Sequence, residues 1–235
     1  MTLEFKQKTT IAQCGKALAA ITVIALAGCG NHPPAPDWSL SAEAAAQKAT
    51  TAYLQGKQRV ETLQWQKARD AVASTGQPAL AAKVELMRCA AQVASLDWNN
   101  CPGYQALAQD ASPAEEAYVR YLLAQLPLSD IEQLPEPQRA IAKAISASGM
   151  EAIAEVKDPL SRLVAAGVAL RAGSVPAETV KLIQLGVDTA SSQGWRRPLM
   201  AWLMMSRVAA VQAGDEAAIS EIDRRMKLLM SPQNP

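Results

Sequence analysis

Residues 80–94 read LAAKVELMRCAAQVA. Leu80, Val84, Met87, Ala91 and Ala94 recur at steps of four, three, four and three. That period lays one apolar stripe along an α-helix and cannot be drawn on a strand, whose faces alternate every second residue. Upstream, Thr75-Gly76-Gln77-Pro78 is a stop and a restart, with Gly past one helix end and Pro at the next beginning. The helix is expected to end near Leu96, before a loop over 97–103.

The same punctuation repeats in both directions. Ser39–Gln55 reads as a first helix with Ser41 at its N-cap, closed by Gly56, and Lys57–Ser74 as a second. Downstream, Ser112-Pro113 followed by Glu115 and Glu116 is a strong helix start: a cap, a Pro in the first turn, and acids near the positive end of the dipole. Pro127, Pro135 and Pro137 cut the next region into short pieces, one of them Leu128–Leu134, and a helix resumes from Gln138 to Ser148. Asp158-Pro159 and Val175-Pro176 open two more, closed by Gly173 and Gly194. Trp195–Ala213 and Glu216–Met230 form a last pair, split by Gly214-Asp215. Helices joined by two or three residues are antiparallel neighbours. The expected fold is therefore all-α, as antiparallel helical hairpins stacked in chain order.

Composition agrees. Alanine and leucine are abundant, aromatics make up 4%, and the only Phe, Phe5, lies near the start. Such a chain favours helix over strand.

The last hairpin resembles a tetratricopeptide repeat. Trp202, Met205, Ser206, Ala209, Ala218 and Ile222 stand at that repeat's large, aliphatic, small, aromatic, small and aromatic positions. Ala209 and Ile222 depart from it, since neither is aromatic, and no second good copy is found. The resemblance implies either a degenerate tetratricopeptide-like array or a compact helical bundle sharing one local hairpin.

The first residues carry a different message. Lys6, Lys8 and Lys16 precede an apolar run from Ala17 to Gly28. At about a dozen residues it has the length of a signal peptide, where a membrane-spanning helix needs roughly twenty. The run ends Leu26-Ala27-Gly28-Cys29 and resembles the lipobox of bacterial lipoproteins. The resemblance implies cleavage before Cys29, lipidation of Cys29, and a mature protein anchored by acyl chains, each buried CH₂ contributing about 0.8 kcal/mol. A secretory signal with a chance Cys, or an uncleaved anchor, is the alternative. The expected organisation is a signal peptide over 1–28, a Pro-rich tether over 29–38 and a helical domain over 39–235. In the same class Gly30, where Asp would favour the inner membrane, implies the outer membrane, with the periplasmic face expected.

Removing residues 1–28 takes away Lys6, Lys8, Lys16 and Glu4, so the formal +1 becomes −1. A near-neutral chain has no electrostatic footprint for nucleic acid. Export also places the two remaining cysteines, Cys89 and Cys101, in an oxidising compartment. A disulfide is expected, stabilising by about 3 kcal/mol on the chain-entropy estimate. Two separate buried thiols are the alternative.

Chemistry is sparse. His32 is the only His and lies in the tether, so no histidine triad or histidine metal cluster is available to the helical domain. No phosphate loop, dinucleotide turn or Gly-x-Ser-x-Gly motif occurs. Glu115 and Glu116 read as a helix start, and Arg224-Arg225 with Lys227 as a solvated face. Trp195-Arg196-Arg197-Pro198 stands out, because Trp and Arg are favoured at binding hot spots. The plainer alternative has Trp195 packed on the neighbouring hairpin and the arginines paired with acids such as Asp188. Trp98, in the loop before Cys101, is the other candidate contact.

The expected function is that of an envelope lipoprotein without catalytic activity, cofactor or metal, which binds a second envelope protein as a scaffold or assembly factor. A surface-exposed lipoprotein that recognises or excludes foreign cells is one alternative. A cell-wall-acting enzyme with a lone carboxylic acid is another.

Overall fold

The structure, a computed structural model, describes residues 35–231. The expected signal peptide, the lipidated Cys29 and most of the tether lie outside them. The described elements are α1 (Asp37–Leu54), α2 (Gln58–Ala73), α3 (Pro78–Ala94), the single turn α4 (Pro102–Gln105), α5 (Pro113–Leu122), α6 (Glu136–Ser148), the single turn α7 (Glu151–Ala154), α8 (Pro159–Ala172), α9 (Pro176–Ser192), α10 (Arg196–Ala213) and α11 (Glu216–Met230), with short 3₁₀ pieces at Ala108–Asp110 and Leu128–Gln133. Among the described residues there is no strand, and the fold is all-α. None of their helices is long and apolar enough to cross a membrane.

The helix starts follow their caps. Ser112 Oγ accepts from the Glu115 backbone N–H while the Glu115 carboxylate accepts from that of Ser112, a complete capping box. Asp158 and Asp215 cap α8 and α11 through one bond each, accepting from the backbone N–H of Ser161 and of Ala218. Three starts differ from the expectation. α1 begins at Asp37, whose carboxylate suits the positive end of the dipole, so Ser41 lies a turn inside the helix and is not its N-cap. α6 begins at Glu136, because Pro137 falls in its first turn, where no backbone N–H is needed. α4 starts at Pro102, inside the stretch expected to be loop.

Packing departs from a simple stack. α1 and α2 form a hairpin, and α8 to α11 follow one another as neighbours. α3, however, packs against α1, α2, α5 and α8, and α10 returns to α1. The apolar stripe of α3 is accordingly too narrow a description. Ala82, Val84, Leu86, Cys89, Ala90, Ala91, Val93 and Ala94 are all buried, which wraps the helix on nearly every side. Even Glu85 is buried, held by the Arg69 guanidinium of α2 through Nε at 2.6 Å and Nη2 at 3.3 Å. Such fork-on-carboxylate geometry is the arrangement in which a buried charge is tolerated.

Small residues set the spacing. Ala49 and Ala68 are fully buried where α1 and α2 meet Val84 of α3. A Cβ on Gly167 of α8 would lie 2.6 Å from the Val93 carbonyl oxygen, and one on Gly186 of α9 would lie 2.2 Å from the Trp202 ring. Trp202 is fully buried, and its Nε1–H donates to the Ala94 carbonyl at 3.0 Å. An aromatic of this size buries some 150–250 Å², or about 4–6 kcal/mol of transfer free energy. A disulfide joins Cys89 to Cys101, with their Cα atoms 5.4 Å apart, and pins the loop after α3 back onto that helix.

Gly167→Ala gains helix propensity of about 1 kcal/mol but drives a methyl against backbone that cannot yield. It is expected to destabilise by about 1–3 kcal/mol net, read from urea unfolding followed by circular dichroism. Burial raises the hydroxyls of Tyr53, Tyr104, Tyr118 and Tyr121 above the ordinary value of 10.0. The unfolded chain therefore releases these protons first as pH rises. The tyrosines' contribution to stability should be constant below pH 10 and be lost above it, with phenolate absorbance appearing together with unfolding.

Candidate functional site

Four segments meet around an open cleft of about 560 Å³. They are the end of α1, the first turn of α2, the last turns of α3 with the residues after it, and the start of α10. Gly56 and Gly194 adopt φ of 76° and 63°, and each lets its chain reverse directly into the next helix. The turn at Gly56 brings Glu61 of α2 beside Tyr53 of α1, and the turn at Gly194 brings in Trp195, Arg196 and Arg197.

Arg197 settles between them. Its Cζ stands 4.0 Å from the centre of the Tyr53 ring, and Nη1 is 3.3 Å from Glu61 Oε2. Glu61 is buried, 8% exposed, so its charge is compensated inside the protein and not by water. Burial raises the Tyr53 hydroxyl, and the Arg197 guanidinium pulls it back in part. Arg196 turns the other way. Its Nη2 donates to the Leu229 carbonyl and, at 3.3 Å, to that of Ser231, closing the carbonyl end of α11. A cation at that end favours the dipole and offsets the cost of placing Arg196 at the start of α10.

The expected pairing of these arginines with Asp188 is therefore wrong. Asp188 accepts from Gln184 one turn away on α9, while the real acid, Glu61, comes from the other end of the sequence. Trp195 is half-buried against Tyr53, Leu54 and Ala91 and packs as the plainer reading expected. Trp98 is 37% exposed on the disulfide loop, which Arg171 holds through the Asn99 carbonyl at 3.3 Å and Asn100 Oδ1 at 3.2 Å. Trp98 is not among the residues that line the cleft.

The floor of the cleft was not foreseen. Arg88 and Gln92 rise from α3, followed by Ser95 and Asp97. Arg88 Nε is buried and meets no hydrogen-bond partner among the described residues, and the buried Ser95 hydroxyl lies beside that of Tyr53. Neither Arg88 nor Asp97 forms an ion pair among those residues. Leu96, between Ser95 and Asp97, sits in the left-handed region with φ 56°. Its N–H bonds to the Val93 carbonyl, and that of Asp97 to the Gln92 carbonyl at 2.9 Å. This reversal normally uses glycine, and a leucine there costs about 1 kcal/mol. The one sequence signal for the floor is Arg88 itself, a cation on a helix otherwise buried almost all round.

From the rim of the cleft outward, α10 carries Met204, Val208 and Val211 in a row facing solvent, each more than half exposed. Among the described residues no group of three or more His, Cys, Asp or Glu is placed to hold a metal ion. Comparison with protein-family models, with curated proteins and with solved structures gave no match.

Arg197→Met strands the Glu61 carboxylate in a buried position. It is expected to destabilise by about 1–3 kcal/mol in urea unfolding and to push the Tyr53 hydroxyl further up, read by phenolate absorbance. Adding Glu61→Gln to the same chain should recover part of the loss.

Proposed function

We propose that this protein is a lipid-anchored adaptor of the bacterial envelope, held to the outer membrane through Cys29 and binding a segment of another envelope protein along α10. The observation that carries the reading is the row Met204, Val208 and Val211. Three large apolar side chains at i, i+4 and i+7 on a solvated face form the pattern by which a helix receives an amphipathic partner. The lipobox-like Leu26-Ala27-Gly28-Cys29 supports the anchor, and the Pro-rich residues after it support a tether. The tetratricopeptide-like spacing of α10 and α11 supports a binding role, because hairpins of that kind commonly act as scaffolds. A noncatalytic role is supported by the two buried glutamates: Glu61 and Glu85 are each tied to an arginine and are poorly placed to donate a proton.

A photoreactive side chain at Met204, in intact cells carrying the full chain, is expected to yield one dominant envelope adduct. The same group at exposed Lys157, between α7 and α8, should yield none. Val208→Glu should cut the Met204 adduct at least tenfold while leaving the circular dichroism spectrum unchanged. Absence of an adduct at Met204, or equal adducts at both positions, overturns the reading. Digestion by protease added outside the cells would instead move the domain to the cell surface.

A further inference from the structure

The cleft holds more polar groups than its own contacts use. Of its three arginines, Arg197 is committed to Glu61 and Tyr53, and Arg196 to the end of α11. Of its two acids, Glu61 is committed to Arg197. What is left is one charge of each sign, Arg88 and Asp97, facing the same space without pairing. With them stands the Ser95 hydroxyl, on a residue only 6% exposed and beside the Tyr53 hydroxyl, while the Arg88 Nε–H is buried and meets no partner among the described residues. Buried polar groups left unpaired are rare in folded proteins, and each lost hydrogen bond costs about 1–3 kcal/mol.

We infer that the cleft is a binding site for a small zwitterion of the α-amino-acid class. Arg88 takes the carboxylate, its guanidinium fork matching the two oxygens. Asp97 takes the ammonium, and Ser95 donates a further hydrogen bond to the carboxylate. Met200 and Met204 border the opening and give an apolar side chain a flexible surface to lie on. The balance of charge is what selects the class. A simple anion would satisfy Arg88 but face Asp97, and a simple cation would do the reverse. A zwitterion meets both, and the volume of about 560 Å³ falls in the ordinary range for small-molecule sites. The site is also built on stiff parts: the pinned end of α3 and the start of α10, not a mobile loop. It is a separate claim from the adaptor reading, although Met204 belongs both to the rim of the cleft and to the row on α10.

The test is titration calorimetry of the full chain against the twenty free amino acids, then against the N-acetyl and C-amide forms of the tightest. An amino acid with an apolar side chain is expected to bind, with each blocked form at least tenfold weaker. Asp97→Asn should weaken the free amino acid at least tenfold yet leave the N-acetyl form unchanged. Arg88→Gln should do the same for the free amino acid and the C-amide. Should Arg88→Gln fail to fold, Asp97→Asn and the blocked ligands decide alone, since Asp97 is exposed and outside the helix. Absence of binding by any of the twenty at 10 mM, or equal binding of the blocked forms, overturns the inference. Calorimetry reads a bound amino acid, whereas the cross-link reads a protein adduct that Val208→Glu cuts, so the two readings fail separately.

Discussion

The bond from the Trp202 indole to the Ala94 carbonyl holds this structure to one arrangement. The last carbonyls of a helix have no partner within it, and here one of them lies where water does not reach. A partner must come from elsewhere in the chain, and Trp202 supplies it. That requirement fixes α10 over the end of α3. It also dictates the two close approaches around it: Gly186 makes room for the Trp202 ring, and Gly167 lets α8 rest on the Val93 backbone. With α1 and α2 on another side, α3 is enclosed, and the neighbouring helices are arranged by what its surface accepts.

Much of this could be read from the sequence, but in a particular way. Helix starts were legible because Pro113, Pro159 and Pro176, with Ser112 and Asp158, act through local chemistry that needs no knowledge of the fold. Helix ends at Gly56, Gly194 and Gly214 were legible for the same reason. The end of α3 near Leu96 was also legible, but not that Leu96 and Ala124 take the left-handed conformation, since nothing local in either residue calls for it. The enclosure of α3 was hidden as well. A stripe of Leu and Met draws the eye, whereas the Ala, Val and Cys that bury the other faces look neutral in a helical pattern.

The cleft shows the same limit. Trp195, Arg196 and Arg197 were visible as an unusual cluster, and the two arginines do border it, while Trp195 packs behind them. Their partners could not be named, because Glu61 and the end of α11 are distant in sequence and near only once the helices have packed. Asp188 was the natural guess for a reader restricted to neighbours. In the sequence Arg88 is one more charge on a helix, and it stands out only once α3 is seen to have scarcely any exposed side.

The hydrogen bond at Ala94 also has a bearing on time. It joins an early helix to a late one, and so does the ion pair of Glu61 with Arg197. Contacts of such long range form slowly, since the intervening chain must first be brought to order. A chain of which only α1 to α3 have yet been made would possess neither bond. The cleft, which needs α10 against α1 and α3, would be missing altogether, not merely loose. The feature that secures the fold thereby serves as a certificate of completion: only a finished molecule has the cleft.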